Sequence, residues 1–140
     1  MADLDPLIRL NKFELEEKQR FLAKLYNDVE RFQTIKSGML DSLESEKDVT
    51  DADLDNITMI QAYLSYLGRV KKEVSQLDNE IGRIESRIQI AIDDMRDAFG
   101  ELKKIEITRD RRLAELAEDN KKREDALFSE IALEIYRRAE

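Results

Sequence analysis

Carboxylates occupy every second position in the stretch KDVTDADLDN, at Asp51, Asp53 and Asp55. Alternating oxygen ligands are typical of a calcium loop, which also needs a glycine at its sixth position and a bidentate glutamate at its twelfth. Counted from Asp51, those positions hold Asn56 and Ala62. Because the closing carboxylate is missing, the pattern favours a bend that leads into a helix over a calcium site.

A capping box explains the same stretch without a metal ion. Thr50 is followed three residues later by Asp53, just before an apolar-periodic run, and acids are favoured at a helix start by the helix dipole. Residues 41–56 contain seven acids and one lysine. The sequence therefore predicts a solvated acidic bend between two helices.

Composition removes most catalytic chemistry. The 140 residues include 40% charged and 6% aromatic residues, with no cysteine and no histidine. Thiol nucleophiles, imidazole bases, disulfides and the usual zinc ligands are therefore absent. Carboxylates, lysines and hydroxyls still need a pre-organised pocket, which two paired helices do not supply. We expect no enzymatic activity, no metal, no cofactor and no small-molecule substrate.

Charge and hydropathy narrow the partners and the location. A net charge of −8 argues against nucleic-acid binding, since phosphate contacts need clustered Lys and Arg. The apolar runs are too short to span a bilayer, and the acidic start differs from a signal peptide. We expect a cytoplasmic protein with no direct membrane insertion, either soluble or peripheral to the inner membrane through protein partners.

The first helical arm has its start signal at Asp5 and Pro6, which fit an N-cap and a first helical position. Apolar residues then recur at alternating steps of three and four, the heptad pattern of a coiled coil. The predicted seam is Ile8, Asn11, Leu15, Lys18, Leu22, Leu25, Val29, Phe32, Lys36, Met39 and Leu43.

A second arm has a longer seam of the same kind. Its predicted positions are Ile57, Ile60, Leu64, Leu67, Lys71, Val74, Leu77, Ile81, Ile84, Ile88, Ala91, Met95, Ala98, Leu102 and Ile105. Two successive steps of three, from Lys71 to Leu77, predict a stammer that overwinds the supercoil. The fold prediction is all-α: a long antiparallel two-helix coiled-coil hairpin with an overhanging C-terminal helix. It is one domain, 1–140, with arms at about 6–44 and 53–138 and an acidic bend at about 45–52.

Unequal arm lengths predict the overhang. If the arms pair back from the bend, the first arm ends opposite about residues 90 to 95, and the rest of the second arm projects alone. The alternative is a break at Gly100 that folds a third arm into a bundle, although one glycine costs a helix only about 1 kcal/mol.

A second apolar stripe, at Met59, Tyr63, Tyr66 and Val70, lies beside the predicted seam early in the second arm. One partner helix cannot cover both stripes. The surplus side chains either pack on a third helix and shield the seam, or form an exposed patch for a partner protein, to which Leu67 would contribute.

The C-terminal third reverses the sign of the charge. The stretch KKIEITRDRR carries the bases Lys103, Lys104, Arg109, Arg111 and Arg112 against two acids. It is either a solvated helix face with compensating pairs or an electrostatic dock for an acidic partner. An amphipathic stripe follows and needs a surface to cover it. Its residues are Leu127, Phe128, Ile131, Ile135 and Tyr136.

Two segments carry a resemblance to a known family. MIQAYLSYLGRV, residues 59–70, is similar to an aromatic-x-x-x-Leu segment that follows the bend in the flagellar export protein FliJ family. KKREDALFSEIALEIYRR, residues 121–138, is similar to that family's terminal pattern, with Ser129 where the family has an acid. The injectisome stalk proteins share the same plan.

The resemblance implies a stalk component of a type III export apparatus. Its partners would be a hexameric export ATPase, an export gate protein and export chaperones. The gate contact would fall on Met59, Tyr63, Leu67 and Val70, and the C-terminal bases and stripe would meet the ATPase or another partner. Two other classes remain open: a generic coiled-coil scaffold or tether, and a prefoldin-like holdase, which would need strand-rich hairpins that this sequence lacks.

Overall fold

Two long α-helices make up most of the chain in a computed structural model that describes residues 3–139. Helix α1 spans Asp5–Asp51 and contains 47 residues, and helix α2 spans Ile57–Ala139 and contains 83. The helices pack against each other, and residues 3–139 include no strand. The all-α prediction is confirmed. No helix within this described range is long and apolar enough to cross a membrane.

Helix α1 begins at Asp5, but its cap comes from an earlier residue. The Asp5 N–H donates to the Asp3 carboxylate at 3.0 Å, and the Ile8 N–H donates to the Leu4 carbonyl at 2.9 Å. Pro6 lies in the first turn, where a backbone N–H has no helical acceptor. The side-chain cap is therefore Asp3, and the prediction of an Asp5 cap was wrong.

The connection between the helices lies later than the predicted 45–52, because α1 continues to Asp51 and the turn occupies residues 52–56. The Thr50 hydroxyl donates to the Glu46 carbonyl at 2.9 Å, which places Thr50 in the last turns of α1. The cap of α2 is Asn56, whose side-chain oxygen accepts the Met59 N–H at 3.1 Å. The predicted capping box at Thr50 was wrong: without glycine or proline in residues 41–51, the acidic stretch stays helical.

Residues Glu16–Arg96 form one compact unit. Its core joins residues of both helices: Leu22, Leu25, Ile84, Ile88 and Ala91, with Val29, Phe32, Ile92 and Met95 packed against them. Further along, Lys36 Nζ lies 2.6 Å from an Asp78 carboxylate oxygen. Later residues of α1 thus meet earlier residues of α2, so the helices run in opposite directions within this unit.

The second compact unit combines the start of α1, up to Leu15, with α2 from Asp97 onward. Ile8 and Leu102 are buried in it, and Arg109 Nη1 lies 3.6 Å from an Asp5 carboxylate oxygen. Helix α1 therefore begins opposite residue 109 of α2, not opposite residues 90 to 95 as predicted. The reason is the late turn: in a pair of oppositely directed helices, each residue added before the turn shifts the pairing by two.

Helix α2 is continuous through Gly100. A Cβ added to Gly100 would meet nothing within 4 Å, so neither close packing nor a positive φ requires glycine there. The alternative in which the chain breaks at Gly100 and folds back as a third helix does not occur. A single glycine costs only about 1 kcal/mol in a helix, which the neighbouring residues offset.

Candidate partner-binding surfaces

The seam predicted for α1 agrees with burial along the helix. Ile8, Leu22 and Leu25 are buried, and the eight other predicted seam positions are at least half-buried. The polar seam residues Asn11, Lys18 and Lys36 are among the half-buried ones. The alternation of three and four therefore identified the face of α1 that packs on α2.

The predicted seam of α2 agrees with burial from Val74 onward and, upstream, only at Ile60 and Leu67. Upstream, the predicted seam residue Leu64 is 56% exposed and Lys71 is also exposed. Tyr63 is half-buried instead, and Val70 is only 4% exposed. Two of the residues assigned to a surplus stripe, Tyr63 and Val70, thus belong to the packed face of α2.

A single unbroken register accounts for this correction. Steps of three and four run without a break through Ile60, Tyr63, Leu67, Val70, Val74, Leu77 and Ile81, all of which are buried or half-buried. The predicted route through Leu64 and Lys71 required two successive steps of three and hence a stammer. Two adjacent apolar stripes made both routes possible in the sequence, and the continuous register is the one that packs.

A groove opens beside the turn, and we call it the turn groove. It is lined by Glu46, Thr50, Met59, Ala62, Tyr63 and Tyr66. Of the four predicted gate-binding residues, Met59 and Tyr63 line this groove, Leu67 is half-buried nearby in sequence, and Val70 is buried. An exposed patch made from all four residues is therefore wrong, because Val70 does not reach the surface.

Acidic side chains surround this end of the helices. The seven acids of residues 41–56 are all exposed, and none of them forms an ion pair within the part of the chain that the structure describes. No group of three acids in that part is arranged to hold a metal ion. Residues 57–62, which a calcium loop starting at Asp51 would need, belong to α2.

The basic stretch is partly paired within the chain. Lys103 lies 3.3 Å from Glu106 and 5.4 Å from the centre of the Phe99 ring, and Lys104 lies 3.3 Å from Glu101. Such exposed pairs contribute well under about 1 kcal/mol each, so the charges of these lysines are compensated locally with little gain in stability.

The arginines of this stretch differ from one another. Arg109 contacts Asp5 and Asp110, the latter at 3.3 Å. Arg111 and Arg112 are exposed and form no ion pair among residues 3–139. Lys103, Lys104 and Arg109 thus fit a helix face whose charges are compensated within the chain. The guanidinium groups of Arg111 and Arg112 are instead exposed and able to bind an anionic group.

We call residues 117–139 of α2 the C-terminal segment. Every residue of this segment is exposed, including Phe128 at 74%. The predicted apolar stripe of Leu127, Phe128, Ile131, Ile135 and Tyr136 is therefore uncovered along its whole length. An exposed amphipathic helix face of this kind is a candidate surface for contact with another protein.

One groove was missed by sequence reasoning. Leu4 lines it together with Leu113 and Leu116, and Asp3, Asp5, Arg109 and Arg112 complete its walls. The signal for it was present: Leu4 precedes Ile8 by four residues and so shares its helix face. The groove begins where α1 ends its cover of α2, directly before the C-terminal segment.

Comparison with known proteins gives no relative for this chain. No protein-family model matches it, and no significant match occurs among curated proteins or among solved structures. What the fold and surfaces define is a class, an all-α protein of two long packed helices with an uncovered helical end.

Proposed function

We propose that this chain is a non-enzymatic coiled-coil stalk of a flagellar type III protein export apparatus. It is an antiparallel coiled-coil hairpin that binds the export ATPase ring through its C-terminal segment and the export gate near its turn, with export chaperones as further partners. It works in the cytoplasm, peripheral to the inner membrane through these proteins. The single observation that carries the proposal is the uncovered C-terminal segment, exposed from residue 117 to 139.

Two features of this segment support the proposal that a protein partner covers it. Its apolar stripe includes Phe128, Ile131 and Ile135, which are 74%, 49% and 64% exposed. The segment continues α2 without a break, so a partner meets a preformed helix and loses little ordering entropy on binding. Arg111 and Arg112, just upstream, add positive charge that steers an acidic partner surface.

The turn end supports the second contact. Met59 and Tyr63 line an open groove there, and aromatic side chains are frequent hot spots of protein interfaces. In this proposal the gate touches the groove side of these residues, while Leu67 and Val70 hold the helix in register against α1.

The test is size-exclusion chromatography with light scattering, first alone and then with a purified type III export ATPase and nucleotide. We expect a monomer of 16.4 kDa that joins the ATPase hexamer and raises its turnover. The variant Phe128→Ser, Ile131→Ser, Ile135→Ser should lose this association by at least about tenfold, since buried aromatic and aliphatic anchors dominate interfaces.

A matched control removes equally exposed apolar groups elsewhere, with Phe13→Ser, Leu64→Ser and Ile90→Ser. It should bind the ATPase like the wild type. The second candidate function is a generic cytoplasmic coiled-coil scaffold or tether, favoured by the same uncovered stripe if a second copy covers it. A stable dimer that ignores the ATPase would establish the tether and refute the stalk.

A further inference from the structure

The turn groove combines an apolar and aromatic lining with a hydroxyl that is already hydrogen-bonded. Met59, Ala62, Tyr63 and Tyr66 supply its apolar and aromatic surface. The hydroxyl of Thr50 is already used, because it donates to the Glu46 carbonyl at 2.9 Å. An incoming apolar side chain would therefore cover carbon and ring surface without leaving the Thr50 hydroxyl unpaired.

The charge around this groove is mainly negative, although Arg69 lies 5.9 Å from the centre of the Tyr66 ring. Residues 41–56 carry seven acids and one lysine, all exposed. Within the described chain none of these acids is neutralised by an ion pair, whereas acids such as Asp78 and Glu101 are paired. The carboxylates are also not gathered into a group of three that could hold a metal ion in that part of the chain. A dispersed set of acids is complementary to a dispersed set of cations.

We propose that the turn groove docks a basic amphipathic helix of a partner protein. One apolar face of that helix enters the groove against Met59 and Tyr63, and its Lys and Arg side chains reach Glu46, Asp53 and Asp55. This deepens the proposed function by giving the chemistry of the partner at the turn end, although the groove and its charge carry the inference without the export apparatus. A second copy presenting the same acidic end would be repelled.

The experiment measures binding of a fluorescein-labelled synthetic helix of Leu and Lys to the full chain by fluorescence anisotropy at low and physiological salt. Leu recurs at steps of three and four in this probe, which gives it one apolar face. A scrambled peptide of identical composition has the same charge but no such face. We expect the amphipathic probe to bind at least about tenfold more tightly than the scrambled one, because only it can fill the groove.

Charge variants locate the contact. Glu46→Gln, Asp53→Asn and Asp55→Asn together should weaken the amphipathic probe by about tenfold at low salt, and by less at physiological salt. The matched control makes the same net-charge change on exposed acids of the C-terminal third, with Glu115→Gln, Asp119→Asn and Glu130→Gln. The control should stay within about twofold of the wild type, since these acids are remote in sequence from the groove.

A groove variant separates docking from general attraction of a polycation. Ala62 lines the groove and is exposed, so Ala62→Gln fills the opening without changing the charge or removing a core contact. It should weaken the amphipathic probe at least about fivefold and leave the scrambled peptide unaffected, because only the former inserts side chains. Circular dichroism checks that the variant is folded.

Three results with the peptides would overturn the inference: equal loss of affinity in the two triple charge variants, equal binding of the two peptides, or full affinity in Ala62→Gln. Concentration-dependent dimerisation that Ala62→Gln abolishes would also overturn it, since the occupant would then be a second copy. If the chain binds the ATPase but not the amphipathic probe, only this inference is refuted. If it binds the probe but not the ATPase, only the proposed stalk function is refuted.

Discussion

The register of the helix pair near the turn yields a quantitative prediction. Val70 is 4% exposed and lies in the observed seam, whereas Leu64 is 56% exposed and lies outside it. Truncating each to alanine therefore distinguishes the observed register from the one that the sequence pattern also allows, in which Leu64 packs and Val70 does not.

The magnitude follows from the buried carbon that each change removes. Val70→Ala deletes two buried methylene equivalents, at about 0.8 kcal/mol each, and leaves a small cavity that adds up to about 1 kcal/mol. Alanine returns about 0.5 kcal/mol through its higher helix propensity. We expect a net loss of about 1 to 2 kcal/mol in the free energy of unfolding. Leu64→Ala removes more carbon, but most of it is already in water, so its cost should be about 0.5 kcal/mol or less.

The assay is urea unfolding followed by circular dichroism at 222 nm, repeated at two protein concentrations to exclude a contribution from association. At about 3 °C per kcal/mol for a chain of this size, Val70→Ala should also lower Tm by several degrees. The order of the two losses is decisive. If Leu64→Ala destabilises the protein more than Val70→Ala does, the observed register is refuted, and Val70 must instead belong to an exposed apolar patch.

Three further changes test other parts of the fold by the same unfolding assay. Asn56→Ala should lose about 1 kcal/mol because the Met59 N–H loses its cap, while Asn56→Asp should retain most of the stability; equal losses would show that the cap lies elsewhere. A double-mutant cycle on Lys36 and Asp78 should give a coupling of about 0.5 to 1 kcal/mol that falls with salt, and a coupling of zero would contradict the 2.6 Å contact. Gly100→Ala should stabilise the protein by about 0.5 to 1 kcal/mol, since an added Cβ meets nothing within 4 Å; destabilisation would reveal a contact or bend at that position.

The α1 seam could be predicted because one regular alternation of three and four runs from Ile8 to Leu43. Other apolar residues, such as Tyr26 and Ile35, also stand three or four residues from seam positions but are exposed, whereas every position of the regular alternation is buried or half-buried. Early in α2 the pattern is degenerate, because Tyr63 and Leu64 are neighbours and both are suited to burial. Only the partner helix decides which one packs, and that is a tertiary constraint absent from any local window.

The turn was misplaced for a related reason. Acids and a Thr-x-x-Asp spacing mark helix ends on average, yet residues 41–51 contain no residue that breaks a helix. Thr50 could instead satisfy its hydroxyl on the Glu46 carbonyl, which is possible inside a helix. The cap of α2 is therefore Asn56, later in the chain than predicted, and the start of α1 accordingly lies opposite Arg109. A small local error in the turn thus became a large error in how much of α2 is covered.

The C-terminal segment stays helical although nothing packs on it, and this bears on how it would bind. Its pairs Glu118–Lys122 and Glu134–Arg138 place the acid four residues before the base, the favourable order, but each contributes only about 0.3 to 0.5 kcal/mol. Such pairs do not overcome the cost of nucleating an isolated helix. The segment avoids that cost because it extends α2, whose nucleus is already held by the buried Leu102 and the residues before it.

Its helicity should therefore depend on α1: a peptide of residues 113–139 alone should be largely unfolded by circular dichroism, whereas the intact chain should show the segment as helical by amide NMR shifts. A fully helical peptide would contradict this dependence.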